Sequence, residues 1–403
     1  MFDFTPLLSD NRAIALAAII LAATVYLCLH YGLHYMRIGL YKVDKVKKVR
    51  KVKGVKEVEK VEEVEKLPDS KLPPVSVVLT AHNDAAWLKE NLVYLLEQDY
   101  PNFEVVVVDY LSQDDTQFVL KLLRDYYPHL KVVPFKEDVN LFQGKKYPLS
   151  IGIKSAKNDI LLLADPDCTP KNLHWLRGMV KGYSENPEVQ IVLGYCGLKR
   201  TKTLLGILQQ YDNLTYSAHY LATALLRKPS TASGRNLSYR RSFFFKQGAF
   251  ISHYNVADGS DDLFVYQNAT RRNTAVAINP DAILTAEPQK SIAAWHRQRL
   301  HRVATRNRHS FSDRIMQDLP PIANVILYAA MALLLVLHLT LWPVVAAVLI
   351  LKWAWQIVSF SFLTRRFDAG LVHLAAPFFE LYFILANAIL VLLPQPSNRK
   401  FKK

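Results

Sequence analysis

Four long apolar runs limit what this 403-residue chain can fold into. Ala13 to Met36 contains no Asp, Glu, Lys or Arg and is long enough to cross a bilayer as a helix. A cleaved signal peptide would want a basic start and a short apolar core. Here Asp3 and Asp10 stand against Arg12 ahead of a long run, which favours a retained anchor. Three further runs crowd the other end: Pro320 to Leu339, Leu341 to Leu363 (interrupted by Lys352), and Leu371 to Leu393. A soluble core helix explains one such stretch, but hardly three in succession. Between the two apolar ends, Lys71 to Lys290 mixes charged and apolar residues, enough for one sizeable soluble domain.

The formal net charge of +15 must be placed before it is interpreted. Basic residues cluster just after the first run (Arg37, Lys42, Lys45, Lys47, Lys48, Arg50) and just before the later ones (Arg297, Arg299, Arg302, Arg306, Arg308). Clusters that flank spans fit cytoplasmic orientation and anionic lipid better than nucleic-acid binding, and no RNA- or DNA-binding motif accompanies them. The middle domain is therefore expected to face the cytoplasm, with the N-terminus outside. The three cysteines, Cys28, Cys168 and Cys196, show no metal-ligand spacing and read as reduced structural thiols. From Val43 to Val64 valine recurs every third residue among Lys, Arg, Glu and Asp. That period matches neither a strand nor an ideal helix nor a coiled coil, so the segment reads as a charged spacer.

Past Pro73-Pro74, strands and helices alternate. Val75–Leu79, Val105–Val108, Lys131–Pro134 and Ile160–Ala164 read as strands; 84–98, 116–127 and 147–156 read as helices. Continuous apolar strands alternating with helices indicate a mostly parallel, doubly covered α/β sheet, which binds ligands at the carboxyl ends of its strands. Asp109 and Asp165 both follow such strands. Asp165-Pro166-Asp167 places two carboxylates one residue apart, an arrangement suited to Mg²⁺ or Mn²⁺ completed by a substrate's phosphates. A polar turn after a strand is the plainer explanation of either aspartate. No GxGxxG follows any strand and no GxxxxGK[ST] is present, which argues against a dinucleotide-dependent dehydrogenase and a P-loop ATPase.

Several motifs now occur in order: Pro74–Asn83 (PVSVVLTAHN), Leu95–Asp109, Ser112–Thr116 (SQDDT), Gly144-Lys145, Ala164–Cys168 (ADPDC) and Gly234–Arg241 (GRNLSYRR). Together they resemble the family 2 glycosyltransferases, inverting enzymes of the GT-A fold, over roughly 73–302, and the apolar ends resemble those of membrane-bound bacterial members. The resemblance implies a nucleotide-diphosphate sugar, UDP- or GDP-linked, lying across the strand ends. Asp109 would accept a hydrogen bond from the base, and Asn83 would sit among the nucleotide contacts. Lys145 would lie near the diphosphate, Asp165 and Asp167 would hold Mg²⁺ or Mn²⁺, and Asn236 would hydrogen-bond a sugar hydroxyl.

Inverting transfer needs a general base. The acidic motif is Asp258-Gly-Ser-Asp-Asp-Leu263, and the family's base position, counted back from Leu263, falls on Ser260. Serine is a poor base, so Asp261 is the expected base and Asp262 the alternative; a helix N-cap explains the same acidic residues without catalysis. Gln298-Arg-Leu-His-Arg302 stands where processive members carry Gln-x-x-Arg-Trp. Gln298 and Arg302 are expected on the acceptor or diphosphate side, without the Trp that marks processive enzymes, and the same stretch reads as a basic helix on the membrane surface. The expected layout is an anchor over 1–37, a spacer over 38–72, a catalytic domain over 73–290, a basic interfacial helix over 291–318, apolar helices over 319–396 and a basic tail over 397–403. The expected function is transfer of a sugar to a lipid-linked or glycan acceptor at the cytoplasmic face of a bacterial inner membrane. A processive polysaccharide synthase and a catalytically degenerate scaffold are the alternatives.

Overall fold

The computed structural model describes residues 10–41, 69, 72–135, 144–226, 229–254, 256, 258–306 and 308–392. The Val43–Val64 repeat and the basic tail lie outside the described residues. A first helix, α1 (Asn11–Tyr31), begins at Asp10, whose side chain accepts the Arg12 amide, and runs on through a wider turn at Gly32–Met36 to Leu40.

The α/β domain is an alternation of short elements. In chain order these are β1 (Val75–Ala81), α2 (Ala85–Leu96), β2 (Phe103–Tyr110), α3 (Thr116–Tyr126), β3 (Leu130–Phe135), α4 (Lys146–Ser155), β4 (Ile160–Leu163) and β5 (Cys168–Pro170). They continue with α5 (Trp175–Glu185), β6 (Ile191–Leu198), α6 (Leu204–Leu226), β7 (Leu237–Arg240), α7 (Arg241–Lys246), α8 (Asp262–Asn268), β8 (Thr274–Ala277) and β9 (Ile283–Ala286). The sheet order is β3-β2-β1-β4-β7-β6-β9-β5, with β8 alongside β6. β3, β2, β1 and β4 run parallel. β7 then enters antiparallel between β4 and β6. The parallel half is what the unbroken apolar runs dictate: Val105 to Val108 are all fully buried, as a strand covered on both faces requires.

Two helices follow in succession from the domain, α9 (Ile292–Arg306) and α10 (Phe311–Leu337), and then α11 (Trp342–Arg366) and α12 (Val372–Leu392). α10 starts well before the apolar run at Pro320. Ser310 caps it by accepting the Asp313 amide at 3.2 Å, and the helix carries through Pro320 and Pro321, where Asn324 Nδ2 donates to the Pro320 carbonyl at 3.1 Å. Asn11–Leu40, Phe311–Leu337 and Leu339–Arg366 are long and apolar enough to cross a membrane.

One face of the sheet is packed against α2 and α5, and the other shares its core with the apolar helices. Val78, Val106, Leu149 and Leu161 belong to the same buried cluster as Leu27, Phe360 and Leu363. Tyr195 of β6 stacks on Phe367 with centroids 3.7 Å apart, and Tyr211 of α6 packs its ring against Phe360, Phe379 and Phe383. The domain is thereby seated on the helices rather than tethered to them.

Polar residues inside the apolar helices find one another. Lys352, completely buried, pairs with Glu380, and Glu380 also accepts from Tyr31 and, at 2.8 Å, from Asn324 Nδ2. A buried charge in such surroundings needs this matching, because an isolated one would cost several kcal/mol.

Candidate active site

The parallel strands end together, and Asp109, Asp165 and Asp167 lie at or just beyond that edge. Asp109, at the end of β2, pairs in register with Ala81 of β1 and Pro134 of β3. It is 1 % exposed, and its Oδ1 has no hydrogen-bond partner among the described residues. Such an atom calls for a donor that the protein does not supply.

Asp165 and Asp167 follow β4 and line a cleft of about 530 Å³ together with Thr80, Asp84, Trp87, Lys145 and Arg235. Lys145 pairs with Asp165. Arg235 reaches both aspartates, Asp167 Oδ2 at 2.8 Å and Asp165 Oδ2 at 3.5 Å. Burial would raise the Asp165 pKa, but Lys145 and Arg235 outweigh it and hold this carboxyl below its usual range. Asp167 goes the other way: burial, with Asp165 beside it, raises it despite Arg235. The two carboxylates are thus unequal, one held ionised by its cations and one less readily ionised.

The donor set fits a hard divalent cation: two carboxylates at a strand end, open to a cleft. Among the described residues no group of three or more His, Cys, Asp or Glu forms a closed metal cage. The protein would therefore offer two oxygen-bearing side chains and leave the remaining positions to a phosphate-bearing ligand, as these cations commonly require.

The acidic motif meets the loop that carries Arg235. Gly259, at φ +92°, turns the chain back so that its own Cα lies against Leu263; a Cβ there would meet the Leu263 side chain at 2.6 Å. The turn presents Asp261 to Gly234, whose amide donates to Asp261 Oδ2 at 2.5 Å. Asp261 occupies the N-cap position of α8, yet its side chain makes no capping hydrogen bond. Its carboxylate is committed to the loop that carries Arg235. Burial first, and the neighbouring Asp262 second, raise its pKa against the pull of nearby backbone amides and Lys145. Asp262 turns away from the cleft and faces His309, with Oδ1 3.2 Å from Nε2. Ser260 is half-buried and brings no ionisable group.

Four of the residues the sequence singled out, Asn236, Asn83, Gln298 and Arg302, do not line this cleft. Asn236 is 1 % exposed and its amide is fully engaged by the protein. Nδ2 donates to the Tyr195 and Ala282 carbonyls at 2.8 Å each, and Oδ1 accepts from Trp175 Nε1 at 3.2 Å. It fixes the loop under β7 and leaves nothing for a sugar hydroxyl. Asn83, at φ +56°, uses Oδ1 to accept the Gln113 amide at 2.7 Å and so shapes the loop beyond β2. Gln298 is half-buried on α9 and lines neither of the two cavities described here, whereas Arg302 pairs with Asp212 at 3.2 Å and lies over the Tyr216 ring at 4.4 Å. The residue that sequence reasoning missed is Arg235. Its place between Gly234 and Asn236 was visible, but its reach to Asp165 and Asp167 depends on how β7 is inserted beside β4.

A mixed sheet with a parallel nucleotide-binding half, a strand-end Asp-x-Asp and an acidic helix start at the Arg235 loop define a GT-A glycosyltransferase domain. Residues 76–247 match the family described as Glycosyl transferase family 2, and this stretch is a family 2 glycosyltransferase domain. The chain is similar to the probable glycosyltransferase YdaM of Bacillus subtilis (strain 168), 25 % identical over 57 % of this chain and 54 % of that protein. It is also similar to the glycosyltransferase AglE of Haloferax volcanii, 33 % identical over 27 % of this chain and 34 % of that protein. The match thus spans about half the length of the first relative and about a third of the second. Among solved structures it shares its fold with the mannosyltransferase PcManGT from Pyrobaculum calidifontis in complex with GDP-Man and Mn²⁺. The TM-score is 0.55 at 20 % identity, covering 87 % of this chain and 96 % of that one.

Proposed function

We propose that this protein is a membrane-bound, metal-dependent, inverting glycosyltransferase that moves a sugar from a nucleotide-diphosphate sugar to an acceptor hydroxyl. The observation that carries this reading is the convergence of Lys145, Asp165, Asp167 and Arg235 in one cleft, with the Asp261 carboxylate hydrogen-bonded to the residue next to Arg235.

The unpartnered Oδ1 of Asp109 would accept a ring N–H from a uracil or guanine base. Asp165 and Asp167 would hold Mg²⁺ or Mn²⁺, in keeping with the Mn²⁺ bound in the mannosyltransferase of the same fold. When bound, the ion would supply Lewis-acid neutralisation of the departing diphosphate. Lys145 and Arg235 add fixed positive charge where that diphosphate leaves. Asp261 would take the proton of the acceptor hydroxyl as its oxygen bonds to the anomeric carbon. The carbon–phosphate oxygen bond breaks on the opposite face, its electron pair leaves with the nucleoside diphosphate, and the configuration inverts. A pKa raised by burial suits a carboxylate to this task. Asp261 rather than Ser260 or Asp262 is the base in this reading, because it alone of the three is a carboxylate turned to the Arg235 loop.

The helix ends support a cytoplasmic position for the domain. Arg366 Nη2 donates to the Tyr41 carbonyl at 2.7 Å, so the ends of α1 and α11 nearest the catalytic domain meet. At the other end Asp10 faces His338 at 3.0 Å. The basic residues Arg37, Arg365 and Arg366 share the domain's side, which the positive-inside tendency assigns to the cytoplasm.

The test is donor binding and turnover by the full chain in lipid nanodiscs. UDP-, GDP- and dTDP-sugars are supplied with Mn²⁺ or with EDTA. Metal-dependent binding of one nucleotide sugar, followed by nucleoside-diphosphate release when lipid extract is added, supports the reading. Binding of none of them, with metal present, overturns it.

A further inference from the structure

A second cavity, of about 370 Å³, lies between α6, α9 and the apolar helices, and Asp262 forms part of its wall. Asp261, the adjacent residue, accepts the amide of Gly234, next to Arg235 of the donor cleft. Resting on the glycosyltransferase reading, we infer that this cavity receives an uncharged, hydroxyl-rich part of the acceptor, a neutral glycan, rather than a lipid phosphate.

Charge is the first argument. Three guanidinium groups line the cavity, Arg299, Arg302 and Arg306, against four carboxylates, Asp212, Asp262, Asp318 and Glu380. Each of those cations is already matched. Arg299 and Arg302 share Asp212, at 3.4 and 3.2 Å, and Arg306 pairs with Asp318. Glu380 is matched from behind by Lys352. With Lys352 counted, four cations face four carboxylates, so the wall carries no excess positive charge to draw in a phosphate. A neutral ligand leaves the pairs intact.

Hydrogen bonding is the second argument, and it is independent. Two buried side-chain atoms on the cavity wall have no hydrogen-bond partner among the described residues, Arg299 Nη1 and Asn324 Oδ1, whereas His309 Nε2 and Asp262 Oδ1 face each other at 3.2 Å. Their residues are at most 8 % exposed. Gln317 Nε2 lies 3.2 Å from His309 Nδ1, and an amide N–H donating there leaves the ring proton on Nε2. That proton faces Asp262 Oδ1, so the open atoms of the wall are one donor, Arg299 Nη1, and one acceptor, Asn324 Oδ1. An ionised phosphate accepts only, whereas sugar hydroxyls both donate and accept. The rest of the wall includes the rings of Tyr31, Tyr35, Tyr211, Tyr216 and Phe383, apolar faces against which the C–H face of a sugar packs.

The experiment uses the full chain in nanodiscs, free of glycoside detergent, and reads ligand binding by saturation-transfer NMR without any donor present. The probes are neutral disaccharides (gluco-, manno- and N-acetylgluco-configured), inorganic pyrophosphate and farnesyl phosphate. Binding of a neutral disaccharide, weakened about tenfold or more by Tyr216→Ala and by the cavity-filling Gln317→Trp, is the expected result. Tyr216→Phe, which keeps the ring, should retain most of that binding. Binding of the phosphate probes alone overturns the inference, and so does absence of binding by every probe. Metal-dependent nucleotide binding is measured on the same preparations. It reports separately on the glycosyltransferase reading and shows that the variants are folded.

Discussion

The Asp261 carboxylate accepts the backbone amide of Gly234 at 2.5 Å, and so the residue proposed as base is fixed to the loop that delivers Arg235 to Asp165 and Asp167. Donor side and acceptor side of the site are joined through one hydrogen bond. A Cβ on Gly234 would lie 3.0 Å from Asp261 Oδ2 and push the carboxylate off its place. Gly234→Ala should therefore lower kcat by about tenfold or more while leaving metal-dependent nucleotide binding nearly unchanged, since a base must be within hydrogen-bond reach of its proton. Equal losses in binding and turnover would show that the glycine serves the donor cleft instead.

Arg235→Ala removes the cation that touches both strand-end aspartates. Loss of one preorganised charge at a developing anion costs about 10²–10³ in kcat. Lysine at this position should restore only part, because it lacks the planar fork that spans two carboxylates. Single-turnover rates of the two variants decide the matter.

Activity should rise with pH on the acidic side, since Asp261 must be ionised to accept a proton and burial with Asp262 raises its pKa above the usual carboxylate value. Asp262→Asn removes the like charge. The Asp261 pKa then falls, and the acidic limb of the rate profile moves to lower pH. A limb that stays in place would exclude Asp261 as the titrating group.

Lys352→Met leaves Glu380 buried without its cation, which should destabilise the helices by about 3–5 kcal/mol. Lys352→Met combined with Glu380→Gln should recover most of that loss. Thermal unfolding of the detergent-purified proteins measures both, and similar stability of the single and double variants would contradict the pairing.

The parallel half of the fold was legible because strands covered on both faces must be apolar throughout: Val75–Leu79 and Val105–Val108 extend by a few residues, and Ile160–Ala164 ends one residue earlier, at Leu163. The strand-end positions of Asp109, Asp165 and Asp167 were legible for the same reason, whereas Lys145, which precedes a helix, was singled out only through the family resemblance. Asn236 was not, because a motif position does not say whether an amide points at a ligand or into the protein, and here three hydrogen bonds hold it inside. The early start of α10 was hidden by Pro320 and Pro321, which read as a boundary but are carried within the helix. The second cavity draws residues from His30 to Asn387, and the Lys352–Glu380 pair joins two separate apolar runs. No local spacing in the chain reports contacts of that range.

The most direct test is a pair of measurements on Asp261→Asn beside Asp167→Asn: nucleotide-sugar binding with Mn²⁺, and nucleoside-diphosphate release with acceptor lipid extract. The account predicts that Asp261→Asn binds the donor as wild type does but loses about 10²–10⁴ in release. Asp167→Asn should lose the metal dependence of binding itself. Full release by Asp261→Asn, or metal-dependent binding undiminished in Asp167→Asn, would contradict the division of labour proposed for the two sides of the site.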